Sequence, residues 1–161
     1  MRIVVLADTH LRAGIDQLPD SVLDAVASAD TVLHAGDVLS RSAFDELSAL
    51  APIYAVLGNN DHELRGTLPE TVLVDLGRVQ VAMVHDSGAR TGRPGRLRRR
   101  FPTADLVVFG HSHVPCDEVG VGGQLLFNPG SATQRRGQPA CTFGILDLTS
   151  GVVTHREIRT V

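Results

Sequence analysis

Seven residues able to ligate a metal recur along this chain, each just after an apolar run: Asp8 and His10, Asp37, Asn59, His85, and His111 with His113. The runs before them are Ile3–Ala7, Thr31–Leu33, Ile53–Leu57, Val79–Val84 and Leu106–Phe109. This pattern predicts buried strands that each end in a ligand, and the carboxyl ends of strands are where an open α/β sheet builds a site. Seven nitrogen and oxygen ligands are too many for one four-coordinate zinc and suit two metals sharing a carboxylate. Two ions roughly 3.5–4 Å apart serve hydrolytic phosphoryl transfer.

Spacing sharpens the expectation. Asp8-Thr9-His10 stands where a strand stops, and residues i and i+2 of a strand share a face, so the carboxylate and the imidazole can grip one ion. His111-Ser112-His113 repeats this with two imidazoles, and Gly110 lets the chain turn beside them. Asp37, after Gly36, is the bridging candidate, because a carboxylate has two oxygens and an imidazole cannot span two cations. Asn59 offers a neutral carbonyl oxygen. Each piece alone is common; the ordered set carries the weight. His34 and His155 lack such company and read as a packed or solvated histidine.

The elements that must hold these residues follow from periodicity. Arg2–Ala7 reads as a buried strand and Leu18–Ala29 as a helix, its apolar stripe at 18, 22, 25, 26 and 29. Thr31–Ala35 is the next strand, Ser42–Ala51 a second helix with Ser42 and Asp45 resembling a capping box, and Pro52–Leu57 a third strand. This βαβαβ opening implies parallel strands with right-handed crossovers. Thr71–Leu76 and Val79–Val84 read as a hairpin, Gly95–Phe101 as a short basic helix, and Asp105–Phe109 as a strand. The short strands Asp117–Val121, Gln124–Phe127, Thr142–Leu148 and Val152–Ile158 look antiparallel. Together they predict an α/β protein of two sheets packed face to face with helices outside, in a single domain over residues 1–161.

Composition narrows the classes. The chain has 161 residues, 43% hydrophobic and 20% charged, which describes a globular protein with a real core. Its net charge of −3 disfavours a nucleic-acid partner, although all fifteen basic residues are arginine. No apolar stretch is long enough to span a bilayer, and no leader pattern precedes the first strand, so a cytoplasmic location is expected with no membrane partner. Cys116 and Cys141 form no CxxC pair and read as half-buried thiols in a reducing compartment.

The ordered motifs resemble those of the calcineurin-like metallophosphoesterase superfamily: D-x-H, G-D, G-N-x-D/E, a lone His and G-H-x-H. Here they stand as Asp8-Thr9-His10, Gly36-Asp37, Gly58-Asn59-Asn60-Asp61, His85 and Gly110-His111-Ser112-His113. The runs Leu33–Asp37 and Asn128–Ser131, and the small size, resemble its YfcE-like phosphodiesterase branch. The resemblance spans residues 2 to about 150. It implies a four-layer α-β-β-α sandwich of two mixed sheets, and a binuclear centre that hydrolyses phosphodiesters through a hydroxide shared by the metals. One metal would take Asp8, His10 and His113, the other Asn59, His85 and His111, with Asp37 between them. Manganese is the expected metal, with Fe, Zn, Co and Ni as alternatives.

One position departs from the pattern. Many members have His where this chain has Asn60, beside the acidic Asp61. An amide can hydrogen-bond a phosphoryl oxygen but cannot protonate a leaving alkoxide, and such help typically contributes about 10²–10⁴-fold. Aryl or otherwise activated diesters are therefore the expected substrates. His62 is a stand-in acid, and Arg12 a phosphate contact, with exposed loop residues as the plainer reading of both. Asp61 and Asp86 are candidates to orient ligand imidazoles. The run Arg90, Arg93, Arg96 and Arg98–Arg100 reads as a solvated face, or as a rim that draws an anionic substrate in. The competing function is a non-catalytic scaffold on this fold, similar to the eukaryotic retromer subunit. A nuclease is disfavoured by the acidity, and a homo-oligomer is compatible with exposed edge strands.

Overall fold

A computed structural model describes all 161 residues. In chain order the strands are β1 (Arg2–Leu6), β2 (Thr31–His34), β3 (Ile53–Ala55), β4 (Thr71–Leu76), β5 (Val79–Val84), β6 (Leu106–Phe109), β7 (Cys116–Val119), β8 (Leu125–Asn128), β9 (Thr142–Thr149) and β10 (Val152–Thr160). The helices are α1 (Asp20–Ala27), α2 (Arg41–Leu50) and α3 (Arg93–Arg100). They build two mixed five-stranded sheets, ordered β10-β9-β1-β2-β3 and β4-β5-β6-β8-β7.

The central strands β1, β2 and β6 are apolar on both sides because both sides are covered. On β1, Ile3 and Val5 point into the layer between the sheets while Val4 and Leu6 point to α1 and α2. On β6, Leu106 and Val108 face the other sheet while Val107 and Phe109 face Leu97 of α3. The result is the expected four-layer sandwich, helices outside and sheets within. No helix is long and apolar enough to cross a membrane.

Both sheets are mixed, as expected: in the second, β5, β6 and β8 run parallel and the edge strands β4 and β7 oppose them. The later strands pair antiparallel as expected, β7 with β8 and β9 with β10, while β8 also lies parallel to β6, and β9 joins the first sheet antiparallel beside β1. A short apolar run does not name both of its neighbours. One expectation changes: the cap of α2 is Ser40 rather than Ser42, its Oγ accepting from the Ala43 N–H at 3.2 Å. With parallel β1, β2 and β3 in one sheet and β5, β6 and β8 in the other, their carboxyl ends lie at one end of the sandwich, and every candidate ligand follows one of them.

Candidate metal centre

All seven candidate ligands meet at that end. His10 Nε2 lies 3.3 Å from His113 Nε2, and Asp8 Oδ1 lies 3.5 Å from the same His113 nitrogen. Asn59 Oδ1 lies 3.0 Å from His85 Nε2 and 2.9 Å from His111 Nδ1. Asp37 Oδ2 sits between the two groups, 3.8 Å from His10 Nε2 and 3.5 Å from His85 Nε2.

The i, i+2 convergence arises differently from the strand geometry expected. β1 ends at Leu6 and β6 at Phe109, so the ligands stand on loops. Asp8, His10, Asp37, His111 and His113 have φ of +53°, +48°, +60°, +68° and +57°. Left-handed backbone is uncommon outside glycine, and Asp and His are among the residues enriched there. Clustered strain of this kind marks functional sites and persists only where surrounding bonds hold it. Here the Asp8 and His10 N–H groups donate to the carbonyls of Gly36 and Asp37, each at 2.9 Å. The middle residue of each motif bonds away from the cluster: buried Thr9 Oγ1 meets buried His34 Nε2 at 2.9 Å, and the Oγ of exposed Ser112 accepts from Asn128 Nδ2. The glycines before the ligands are a matter of space. A side chain on Gly58 would overlap the Asp37 carboxylate, and one on Gly36, at φ +90°, would meet the His85 ring.

Asp61 does not orient an imidazole. Its buried carboxylate accepts three backbone N–H groups, from Asp37 at 2.9 Å, Leu39 at 2.8 Å and Gly58 at 2.7 Å, tying two ligand loops together. Asp86 caps its own turn at Gly88. Backbone carbonyls orient the rings instead: His85 Nδ1 lies 2.7 Å from Ala35 O, and His113 Nδ1 lies 2.7 Å from Gln134 O. Both leave Nε2 free to face an ion. Ser131 Oγ donates to Asp8 O at 2.7 Å, and Thr133 Oγ1 to Thr9 O at 2.7 Å, fixing the loop that supplies the Gln134 carbonyl.

The donor set fits metal ions. Asp8 Oδ2 is buried without any hydrogen-bond partner, a costly position for a carboxylate oxygen unless a cation takes it. Donor atoms of Asp8, His10 and His113 all lie within 4.8 Å of one another, as do those of Asp8, Asp37 and His85. Electrostatics agree. Burial, and then the like charge of Asp37, push the Asp8 carboxyl up to about 7 against the pull of His85 and Arg136. Burial also holds His10 and His113 below the ordinary histidine range, keeping their nitrogens available as donors. Asp37 is buried too, but the bonds from His85 and Asn60 outweigh that and keep it ionised. Burial disfavours a charge on His85, yet Asp37 and the Ala35 carbonyl raise it overall.

The remaining candidates fall around this cluster. Asn60 is turned to Asp37, its backbone N–H on Oδ1 at 2.8 Å and its amide on Oδ2 at 2.7 Å. Two basins open from the centre. One, of about 580 Å³, is lined by His10, Asn60, Arg12, His62 and Arg136. The other, of about 670 Å³, is lined by Asn59, His85, His111, Arg65 and Arg100. Sequence reasoning missed Arg136 and Arg65; nothing local distinguishes them from the other arginines, and only the fold brings them to the centre. Of the basic run, Arg100 alone reaches a basin wall here. The rest of it is partly spent elsewhere, Arg96 on the carbonyls of Ser87, Thr91 and Ala89.

Comparisons with known proteins place the chain in a family. Residues 1–151 match the family model of the calcineurin-like phosphoesterase superfamily domain. A probable metallophosphoesterase of Methanothermobacter thermautotrophicus is 33% identical over 138 residues, 84% of this chain and 80% of the relative. The solution structure of a Thermotoga maritima protein is 28% identical with a TM-score of 0.76, covering 99% of both chains. Vps29 of Entamoeba histolytica complexed with Zn²⁺ is 24% identical with a TM-score of 0.78, covering 100% of this chain and 98% of that one, a likeness of fold.

Proposed function

The chain belongs to the calcineurin-like phosphoesterase superfamily, and from that premise we propose that it hydrolyses phosphodiesters with two divalent ions. One ion would be held by Asp8, His10 and His113, the other by Asn59, His85 and His111, with Asp37 shared. Manganese is the proposed metal. A pair of such ions supplies a water nucleophile at neutral pH and positive charge for the phosphoryl oxygens.

The observation that carries the diester reading is the pair of basins on opposite flanks of the ligand cluster. A phosphorus atom at the centre has room for an ester arm on each side, whereas a monoester needs one. Arg12 and Arg136 on one wall, and Arg65 and Arg100 on the other, hold the arms or the phosphoryl oxygens. Asn60 keeps Asp37 ionised and aimed, and contributes no proton to the leaving group. His62, in the Arg12 basin, is the side chain placed to meet a leaving oxygen there. Two free cysteines, Cys116 and Cys141, keep the cytoplasm as the proposed location.

The test is hydrolysis of bis-p-nitrophenyl phosphate beside p-nitrophenyl phosphate, on metal-stripped protein refilled with Mn²⁺, with Asp37→Ala as control. Diester turnover that needs the metal and disappears in the variant supports the reading. Faster turnover of an alkyl monoester than of the aryl diester would refute the diester preference. The scaffold reading keeps one support, an Asn60 amide already taken up by Asp37. Stoichiometric metal uptake without hydrolysis of either ester would favour it.

A further inference from the structure

Arg93 is a buried cation without an anionic partner. It opens α3 with 8% of its surface exposed, packed over the Phe109 ring at 4.8 Å. It takes part in none of the protein's ion pairs, its Nε is buried and unpaired, and the one polar side chain that meets it is the neutral Cys116 thiol. Its neighbour Arg96, by contrast, is fully engaged with loop carbonyls. A guanidinium carries five donors in a rigid fork, and burying that charge unpaired is costly. A ring face offsets part of the cost, but it uses none of the N–H groups.

The guanidinium borders a cavity of about 450 Å³ on the β7 side of the His111–His113 loop, shared with Arg90, Ser112, Cys116 and Glu118. Nothing in the cavity neutralises Arg93. Glu118 lies within 4.0 Å of Arg90 instead. The Cys116 thiol is pushed up to about 11, first by burial and then by Glu118, against the pull of Arg93, so it stays neutral and gives Arg93 no counter-charge. Two guanidiniums face one carboxylate, and apart from the Ser112 hydroxyl the rest of the wall, with Val114 and Pro115, is mostly apolar. A cavity of this size falls in the range of small-molecule sites, above what a bare phosphate fills.

We propose that this cavity binds a small phosphate-bearing molecule, its phosphate on the Arg93 fork with Arg90 at the mouth and its organic part against Val114 and Pro115. The planar fork matches two oxygens of one phosphate. Ser112 joins the cavity to the loop carrying His111 and His113, so the occupant sits behind the candidate metal ligands rather than among them. The site is independent of the phosphodiesterase reading.

Calorimetric titration with inorganic phosphate, on the metal-loaded protein in chloride buffer, tests it. The unmodified protein should bind one more equivalent of phosphate than Arg93→Met, whatever binds at the metals. Arg93→Met should be at least as thermally stable as its parent in chloride, because an unpaired charge is replaced by an apolar group of similar length. Glu118→Gln, which leaves Arg93 in place, should bind the extra phosphate more tightly by several-fold. Equal stoichiometry in Arg93→Met overturns the proposal. So does marked destabilisation of both variants in chloride, which would mean that Glu118 turns onto Arg93 in solution. Acetate binding as tightly as phosphate would overturn the phosphate class.

Discussion

The two flanks of the centre hold three candidate ligands each and differ in charge. Asp8, His10 and His113 combine a buried carboxylate with imidazoles that burial keeps neutral. Asn59, His85 and His111 offer a neutral amide and one imidazole, His85, drawn toward its protonated form by Asp37 and the Ala35 carbonyl. A proton competes with a cation mostly at the Asp8 carboxylate on the first flank and at His85 on the second. The first flank sets a carboxylate where the second has a neutral amide, so it should bind its ion more tightly, and the second should exchange its ion more readily. Equal numbers of candidate ligands do not make the flanks alike, and Asp37 lies between them.

Removing Asp37, the carboxylate proposed to be shared, should erase the difference. Asp37→Ala is expected to lower kcat/KM by about 10³-fold or more, a large value for one transition-state contact because both ions are affected. Metal analysis should show fewer than two ions retained.

Removing one flank at a time sharpens the contrast. Asp8→Asn should weaken the tighter ion, while Asn59→Ala should weaken only the exchangeable one, each by about 10–100-fold in metal affinity by competition with a chelator. If Asn59→Ala lost both ions together, the asymmetry would be wrong.

Thr133→Val cuts the bond to Thr9 O that steadies the Gln134 carbonyl behind His113. It should cost about tenfold in first-flank affinity and leave the second flank intact. Smaller effects belong to the basin walls. Arg136→Ala and Arg65→Ala should each raise KM for a charged diester a few-fold, more at low salt than at high, with kcat little changed. A shift in kcat alone would move those residues from binding to chemistry.

The smallest effect is on stability. In metal-stripped protein the Asp8 carboxyl is raised from 3.8 to about 7, so the fold favours its protonated form. Its contribution is fully present below the unfolded value and is lost as pH rises through the folded one. Relative to Asp8→Asn, the parent's Tm should therefore fall between about pH 4 and pH 7 and level off above. His10, His34 and His113 have lowered values and act in the opposite direction, which is why the comparison is made against the variant. A difference in Tm that does not change with pH would show that Asp8 is not buried as a lone carboxylate.

Much of this centre could be read before any fold was known. Metal chemistry restricts residue types, and the ligands come in short groups whose spacing is local: Asp8 with His10, His111 with His113, and glycines before Asp37, Asn59 and His111. The helices and the β4–β5 hairpin were equally legible, because their periodicity lies within one segment. The direction of β6 and β8 was not, since a short apolar run does not name its partner.

The candidate ligand set and the alternation of buried strands belong to the sequence by itself, because both depend on residues near one another in the chain. What only the tertiary structure decided depends on residues far apart. The Ala35 carbonyl behind His85 is 50 positions away, and the Thr133 hydroxyl on Thr9 is 124 positions away. The left-handed backbone at five ligands, the binding of Asp61 to three backbone N–H groups and the isolation of Arg93 are of the same kind. Each is set by which chain segments the packed sheets bring together, and no local pattern of side chains encodes that.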